Sequence, residues 1–214
     1  MRILLATDLH GSAHAANSIE QKVEELSPDL FVACGDITHF GDSSFDLNFL
    51  REIPVKTFAV LGNCDPPELV ERLEEMGVNI HGKKVEFGGQ KFVGLGGSNP
   101  TPFDTLFEIP EEEIARILEP LMEPGVILVS HPPPFGFLDS TWQGEHVGSH
   151  ALLDIVNRFQ PRLVLTGHIH ESRGIVEGPV TVVNPGPASR GNLALIEIDG
   201  MVTAKLLSAY DRPD

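Results

Sequence analysis

The feature that most constrains this chain is a repeated punctuation: short apolar runs, each ending within a few residues on Gly, Asp, Asn or His. Residues 3–6 lead to Asp8-Leu9-His10, 30–33 to Cys34-Gly35-Asp36, and 57–61 to Gly62-Asn63. Residues 126–129 lead to Ser130-His131 and 163–165 to Gly167-His168. Runs this short, apolar on both faces, suit strands buried between other layers. Between several of them, 18–26, 44–51, 67–76, 111–122 and 148–159 carry apolar residues at three- and four-residue spacing and read as helices. Pro67 takes a first-turn position, and Pro110 ahead of three Glu residues puts negative charge at a helix start. The first half is therefore βαβαβα.

From Lys83 onward the texture changes. Alternation around Gly88-Gly89 predicts a hairpin, and turns near Gly178-Pro179 and Asp199-Gly200 predict two more. The expectation is an α/β fold with a mixed sheet, or two packed sheets with helices outside. No repeat, low-complexity tract or linker divides the 214 residues, so residues 1–214 are expected to form a single domain. Charged residues at 21% and hydrophobic ones at 41% exclude a disordered chain. No apolar run approaches the roughly 18 residues of a membrane span. The apolar start is too short for a secretory signal and two cysteines cannot build a disulfide framework, so a cytoplasmic protein is expected. A net charge of −16 repels polyanions, which disfavours long nucleic acid and anionic membranes except where multivalent cations invert the local charge.

Ligands of open α/β sheets bind beyond the carboxyl ends of the strands. Five strand ends here deliver a candidate ligand: Asp8 and His10, Asp36, Asn63, His131, and His168 with His170. Any one of these is an ordinary turn residue. Together they are expected to converge on one rim of one sheet, where so many ionisable groups would be costly without a metal. Nitrogen and oxygen donors without thiolate suit manganese, iron, nickel or zinc. Seven side chains exceed the needs of one tetrahedral ion and suit two ions sharing a carboxylate.

In this order and at these spacings, the blocks DLH, GD, GNCD, SHPP and GHIH resemble the calcineurin-like metallophosphoesterase superfamily, from Asp8 to about Asn184. The compact form, GNCD and GHIHES resemble its small prokaryotic Icc-related phosphoesterases. The resemblance implies a four-layer αββα sandwich of two mixed β-sheets with a dinuclear centre where their strand-end loops meet. Asp8, His10 and His170 would hold the first ion and Asn63, His131 and His168 the second, with Asp36 bridging both. Manganese is the expected metal, with iron, nickel or zinc as alternatives. Two such ions about 3.5–4 Å apart acidify a bridging water, whose hydroxide attacks phosphorus in line. The implied substrate is a small phosphodiester or phosphomonoester.

One position departs from the family pattern. Many members carry a His directly after the motif Asn, thought to protonate the leaving group; here Cys64 stands there, a poor substitute at neutral pH. His39 is the candidate to join Asp36, Asn63 and Cys64 in catalysis, and His14, His146 and Arg173 are candidate substrate contacts, with Glu171 the alternative partner of Arg173. His150 closes the same Gly-rich segment as His146, a substrate-facing or a solvated loop. His81 and Cys34 read as structural, and Asp65 as a cap on the helix near Pro66. Two rival readings share the fold, a protein-binding scaffold without catalysis and a nuclease of the same superfamily. Intact ligand positions argue against the first, and the lack of a visible capping or DNA-binding element against the second. Exposed hairpin strands offer edges through which a homo-oligomer is an expectation.

Overall fold

The structure is a computed structural model and describes residues 1–41, 45 and 47–209. In the first sheet, β1 (Arg2–Ala6), β2 (Leu30–Cys34) and β3 (Lys56–Val60) run parallel. They are separated in sequence by α1 (Ala13–Leu26) and α2 (Phe49–Glu52), and α3 (Leu69–Glu75) follows β3. The chain returns at its end as β10 (Asn192–Asp199), antiparallel to β1, and β11 (Met201–Ser208), giving the order β11-β10-β1-β2-β3.

The second sheet is built from β4 (Lys84–Phe87), β5 (Gln90–Leu95), β6 (Ile127–Ser130), β7 (Leu163–Leu165), β8 (Gly174–Val176) and β9 (Thr181–Asn184), in the order β4-β5-β6-β7-β9-β8. Its four central strands are parallel and its two edge strands antiparallel, with α4 (Glu111–Leu118) after β5 and α5 (His150–Phe159) after β6.

The doubly apolar strands serve two cores with a period of two. Ile3, Leu5, Val32, Phe58 and Val60 pack against Phe92, Ile127, Val129, Leu163 and Val183 of the second sheet. Their alternates Leu4, Phe31, Ala33 and Ala59 pack against Ile19, Val23 and Leu73 of the helices outside. On the far side, Val93, Leu128, Val164 and Val182 meet Ile114, Leu118, Leu152 and Ile155 of α4 and α5. The architecture is therefore the expected four-layer αββα sandwich, and the three hairpins turn where the glycines placed them.

The helices differ from expectation at their ends. The first begins at Ala13, not at 18, because Ser12 accepts from the Ala15 amide as N-cap while Ala15 and Ala16 bury; alanines escape a search for large apolar residues. Pro66 and Pro67 stay in the turn before α3, which starts at Leu69, so Pro67 is not in the helix itself. Pro120 lacks the N–H needed to prolong α4, which stops at Leu118, short of 122. Ser149 caps α5. The helix expected over 44–51 begins at Ser44, outside the described residues, and its described part is α2.

Candidate metal centre

Asp8 follows β1, Asp36 follows β2, Asn63 follows β3, His131 follows β6, and His168 and His170 follow β7. The candidate ligands thus come from both sheets, not from one rim of one sheet. Packing the sheets face to face brings their carboxyl ends to a shared edge. Backbone bonds knit the loops there: Asp8 N donates to Gly35 O (3.0 Å) and His10 N to Asp36 O (2.8 Å). Across the sheets, His168 N donates to Asp8 Oδ2 at 3.2 Å.

The local backbone is strained in the way functional turns are. Among the described residues, nine non-glycine residues have left-handed φ, and four are candidate ligands: Asp8 (53°), His10 (47°), Asp36 (48°) and His168 (66°). Each such residue costs on the order of 1–3 kcal/mol, which the surrounding core must offset. The glycines of the GD and GN blocks explain how the groups fit together. A Cβ on Gly35 would overlap the His131 imidazole, and one on Gly62 would overlap the Asp36 carboxylate.

The donor atoms converge. Asp8, His10 and His170 each offer an atom within 4.8 Å of the others, as do Asp8, Asp36 and His131. Nε2 of His10 lies 3.2 Å from Nε2 of His170, and Asp8 Oδ1 lies 3.3 Å from the latter. Asp36 stands between the two groups, its Oδ2 3.8 Å from His10 and its Oδ1 3.5 Å from His131. The His131 Nδ1–H donates to the Cys34 carbonyl (2.8 Å), which fixes the ring so that Nε2 faces Asn63 Oδ1 at 3.1 Å. The His168 ring is 5.1 Å from that of His131.

This set fits divalent cations on the structure's own terms. Asp8 Oδ1 is one of two buried side-chain polar atoms among the described residues with no hydrogen-bond partner. An orphaned carboxylate oxygen beside two imidazole nitrogens is costly unless a cation meets it. Burial would raise the Asp36 carboxyl, but His131, His10 and the Cys64 amide hold it well below the usual carboxylate range. Asp8 is likewise held low by His170 and His131 against the effect of burial. Burial would lower His131, yet Asp36 and Asp8 lift it to about 9. His168 goes the other way, to about 4, through burial and the charge of His131. The field of the buried carboxylates is strongly cation-attracting.

Several expected roles are placed differently. Asp65 caps no helix: it is fully buried and accepts from the amides of Gly62, Ile37 and Thr38 and from the Thr38 hydroxyl, tying the β2 and β3 loops together. Burial and the nearby Asp36 raise it to about 6. Arg173 does not pair with Glu171; its guanidinium donates to the carbonyls of Pro185 and Leu207, while Glu171 accepts from the Trp142 amide. His146 pairs with the buried Asp139 (2.6 Å), and His150, at the start of α5, stacks on Phe135 of the preceding loop. His14 is exposed in the first turn of α1. His39 is exposed with its ring 6.2 Å from that of His10, at the rim of the cluster. Cys64 is buried beside Asp36, and His81 and Cys34 are structural, the former accepting from the Gly96 amide.

Sequence reasoning missed a relay behind Asn63. Its Nδ2 donates to the Thr105 hydroxyl (3.1 Å), which donates to Glu108 (2.6 Å), and Phe107 N donates to the Asn63 carbonyl. This fixes which face of the amide carries the oxygen toward His131. Threonines in a Pro-rich loop carry no signal of that pairing before the fold is known.

A family model described as calcineurin-like phosphoesterase matches residues 1–172. An uncharacterized protein of Methanocaldococcus jannaschii is 38% identical over 201 residues, covering 88% of this chain and 89% of that protein. Human metallophosphoesterase domain-containing protein 1 is 31% identical over 152 residues, covering 66% of this chain and 46% of that protein. Among solved structures, TT1561 of Thermus thermophilus shares the fold with a TM-score of 0.77 at 20% identity, over 97% of this chain and 98% of that one.

Proposed function

Because the chain belongs to the calcineurin-like phosphoesterase family, we propose that its strand-end cluster binds two divalent metal ions and hydrolyses a small phosphodiester or phosphomonoester. Asp8, His10 and His170 would hold one ion, Asn63, His131 and His168 the other, and Asp36 both. The observation that carries this reading is the buried Asp8 Oδ1, which accepts no hydrogen bond and faces the Nε2 atoms of His170 and His10, themselves 3.2 Å apart. When bound, such ions supply Lewis acidity and an acidified water, and manganese is the metal proposed, with iron, nickel or zinc as alternatives.

The chain's own groups divide the remaining work. The Cys34 carbonyl and the Thr105 hydroxyl aim His131 and Asn63. The Cys64 amide holds Asp36 Oδ1 at 2.8 Å, while burial and Asp36 push the Cys64 thiol well above its ordinary range. Both influences disfavour the thiolate form of that side chain. His39, exposed at the rim beside His10, is the group proposed to hand a proton to the departing oxygen. The net charge of −16 favours a small ester over a long polyanion.

The test is hydrolysis of bis(p-nitrophenyl) phosphate by protein loaded separately with manganese, iron, nickel and zinc. Asp36→Asn should lower the rate by at least about a hundredfold, the upper range for loss of an outer ligand partner alone. Equal rates in the two proteins would overturn the assignment.

A further inference from the structure

We propose that the cleft between residues 100–103 and 141–147 binds a planar aromatic group of the substrate, beside the phosphoryl group held at the metal centre. This rests on the phosphoesterase reading above and names the class of ester it takes. The cleft measures about 600 Å³, with Phe103 on one wall, Trp142 and Val147 on the other, and His168 and His170 within it. Two of the candidate metal ligands are therefore shared between the cluster and the cleft. An ester whose phosphorus lies at those imidazoles has its organic arm directed here.

Half of the large apolar side chains exposed among the described residues gather at this place. Six large apolar side chains are exposed among the described residues, and three of them, Phe103 (80%), Trp142 (84%) and Val147, line this one cleft. Leaving such rings in water forgoes roughly 25 cal/mol for each Å² that could have been buried, so a cluster of them marks a binding surface. The rings are also carried on tethered backbone. Glu108 accepts from the amides and hydroxyls of Thr101 and Thr105 on either side of Phe103. The Trp142 amide donates to Glu171 and the Ser172 hydroxyl to the Ser140 carbonyl, fixing the opposite wall to the segment that carries His170. Walls held this way lose little freedom when a ligand enters.

The occupant follows from shape and charge. A volume of about 600 Å³ lies in the range of small-molecule sites, roughly 300–1,000 Å³. Aromatic faces favour a flat ring, which they contact by stacking or edge-on, over an aliphatic group of equal bulk. Glu145 and Glu171 also line the cleft, so a second phosphate there would meet carboxylates, whereas an uncharged ring bearing N–H donors would meet acceptors.

The test uses zinc-loaded protein and three phosphonates that cannot be hydrolysed as esters: phenyl-, cyclohexyl- and methylphosphonate. Affinities come from calorimetry, and Trp142, the only tryptophan of the chain, reports entry into the cleft by its emission. Phenylphosphonate should bind at least about tenfold tighter than methylphosphonate, with a saturating emission change, and Phe103→Ala should bring the two within about threefold. Cyclohexylphosphonate binding as tightly as phenylphosphonate, or a phenyl preference that survives Phe103→Ala, overturns the proposal. Equal binding of phenyl- and methylphosphonate overturns it while leaving the phosphoesterase reading standing. Failure of all three to bind, with no hydrolysis of bis(p-nitrophenyl) phosphate, overturns both.

Discussion

At the strand ends, Asp8, Asp36 and His131 are buried between two sheets, while on the adjoining loops Phe103 and Trp142 stand in solvent on tethered backbone. The candidate ligands are held by the same packing that holds the fold. Their glycine neighbours leave no room for a Cβ, and four of them sit in left-handed backbone. Phe103, Trp142 and Val147 of the cleft walls belong to none of the three cores. Damage at the cluster should therefore register in stability and metal affinity together, and damage at the cleft mainly in which ester is preferred, with at most a small effect on stability.

Gly62→Ala would break that contrast most severely. The added Cβ meets the Asp36 carboxylate and amide, so Asp36 or the β3 loop must shift. Overpacking of this kind costs about 1–3 kcal/mol. A lowered melting temperature and a loss of manganese affinity of at least about a hundredfold are expected, read by calorimetry. An unchanged affinity would mean that Asp36 is not a ligand. Asp65→Ala comes next. It strands the buried amides of Gly62, Ile37 and Thr38 and should cost about 3 kcal/mol in urea unfolding. A loss under about 1 kcal/mol would show that water replaces the carboxylate.

Thr105→Val sits at the junction of the two regions and sharpens their boundary. It removes the acceptor of the Asn63 amide without opening a large cavity. About a tenfold weaker metal affinity is expected with little change in melting temperature. A large fall in melting temperature with intact affinity would assign Thr105 to the core and not to the site.

The same contrast explains what could be read without coordinates. The layers were legible because runs such as 30–33 are apolar on both faces, which only a strand between two cores requires. The seven ligand candidates were legible because their types recur at strand ends. That β6 and β7 belong to a second sheet depends on pairing across many residues and left no local trace. Asp65, Arg173 and the Thr105–Glu108 relay act through bonds to backbone groups from distant loops, and such bonds demand no distinctive residue pattern. The exposed Trp142 is visible in the sequence only as a lone aromatic; its meaning comes from sharing a cleft with Phe103.

The smallest expected effect lies in the tether of the cleft itself. Burial would raise the Glu108 carboxyl, but hydrogen bonds from Thr101 and Thr105 outweigh it and hold the group at about 2, below its ordinary 4.5. The sign follows from linkage: a carboxyl lowered on folding stabilises fully above its ordinary value, and that contribution is lost as pH falls toward the folded one. Glu108→Gln preserves the shape but not the charge, and one amide oxygen cannot replace two carboxylate oxygens accepting from four donors. The wild type should therefore melt slightly above the variant at neutral pH, with the gap narrowing between about pH 4.5 and 2. The gap is small because water screens much of the carboxyl. A gap that stays constant across that window would show that the wall bearing Phe103 is held by its backbone ties to Asn63 and Ser98 and not by Glu108.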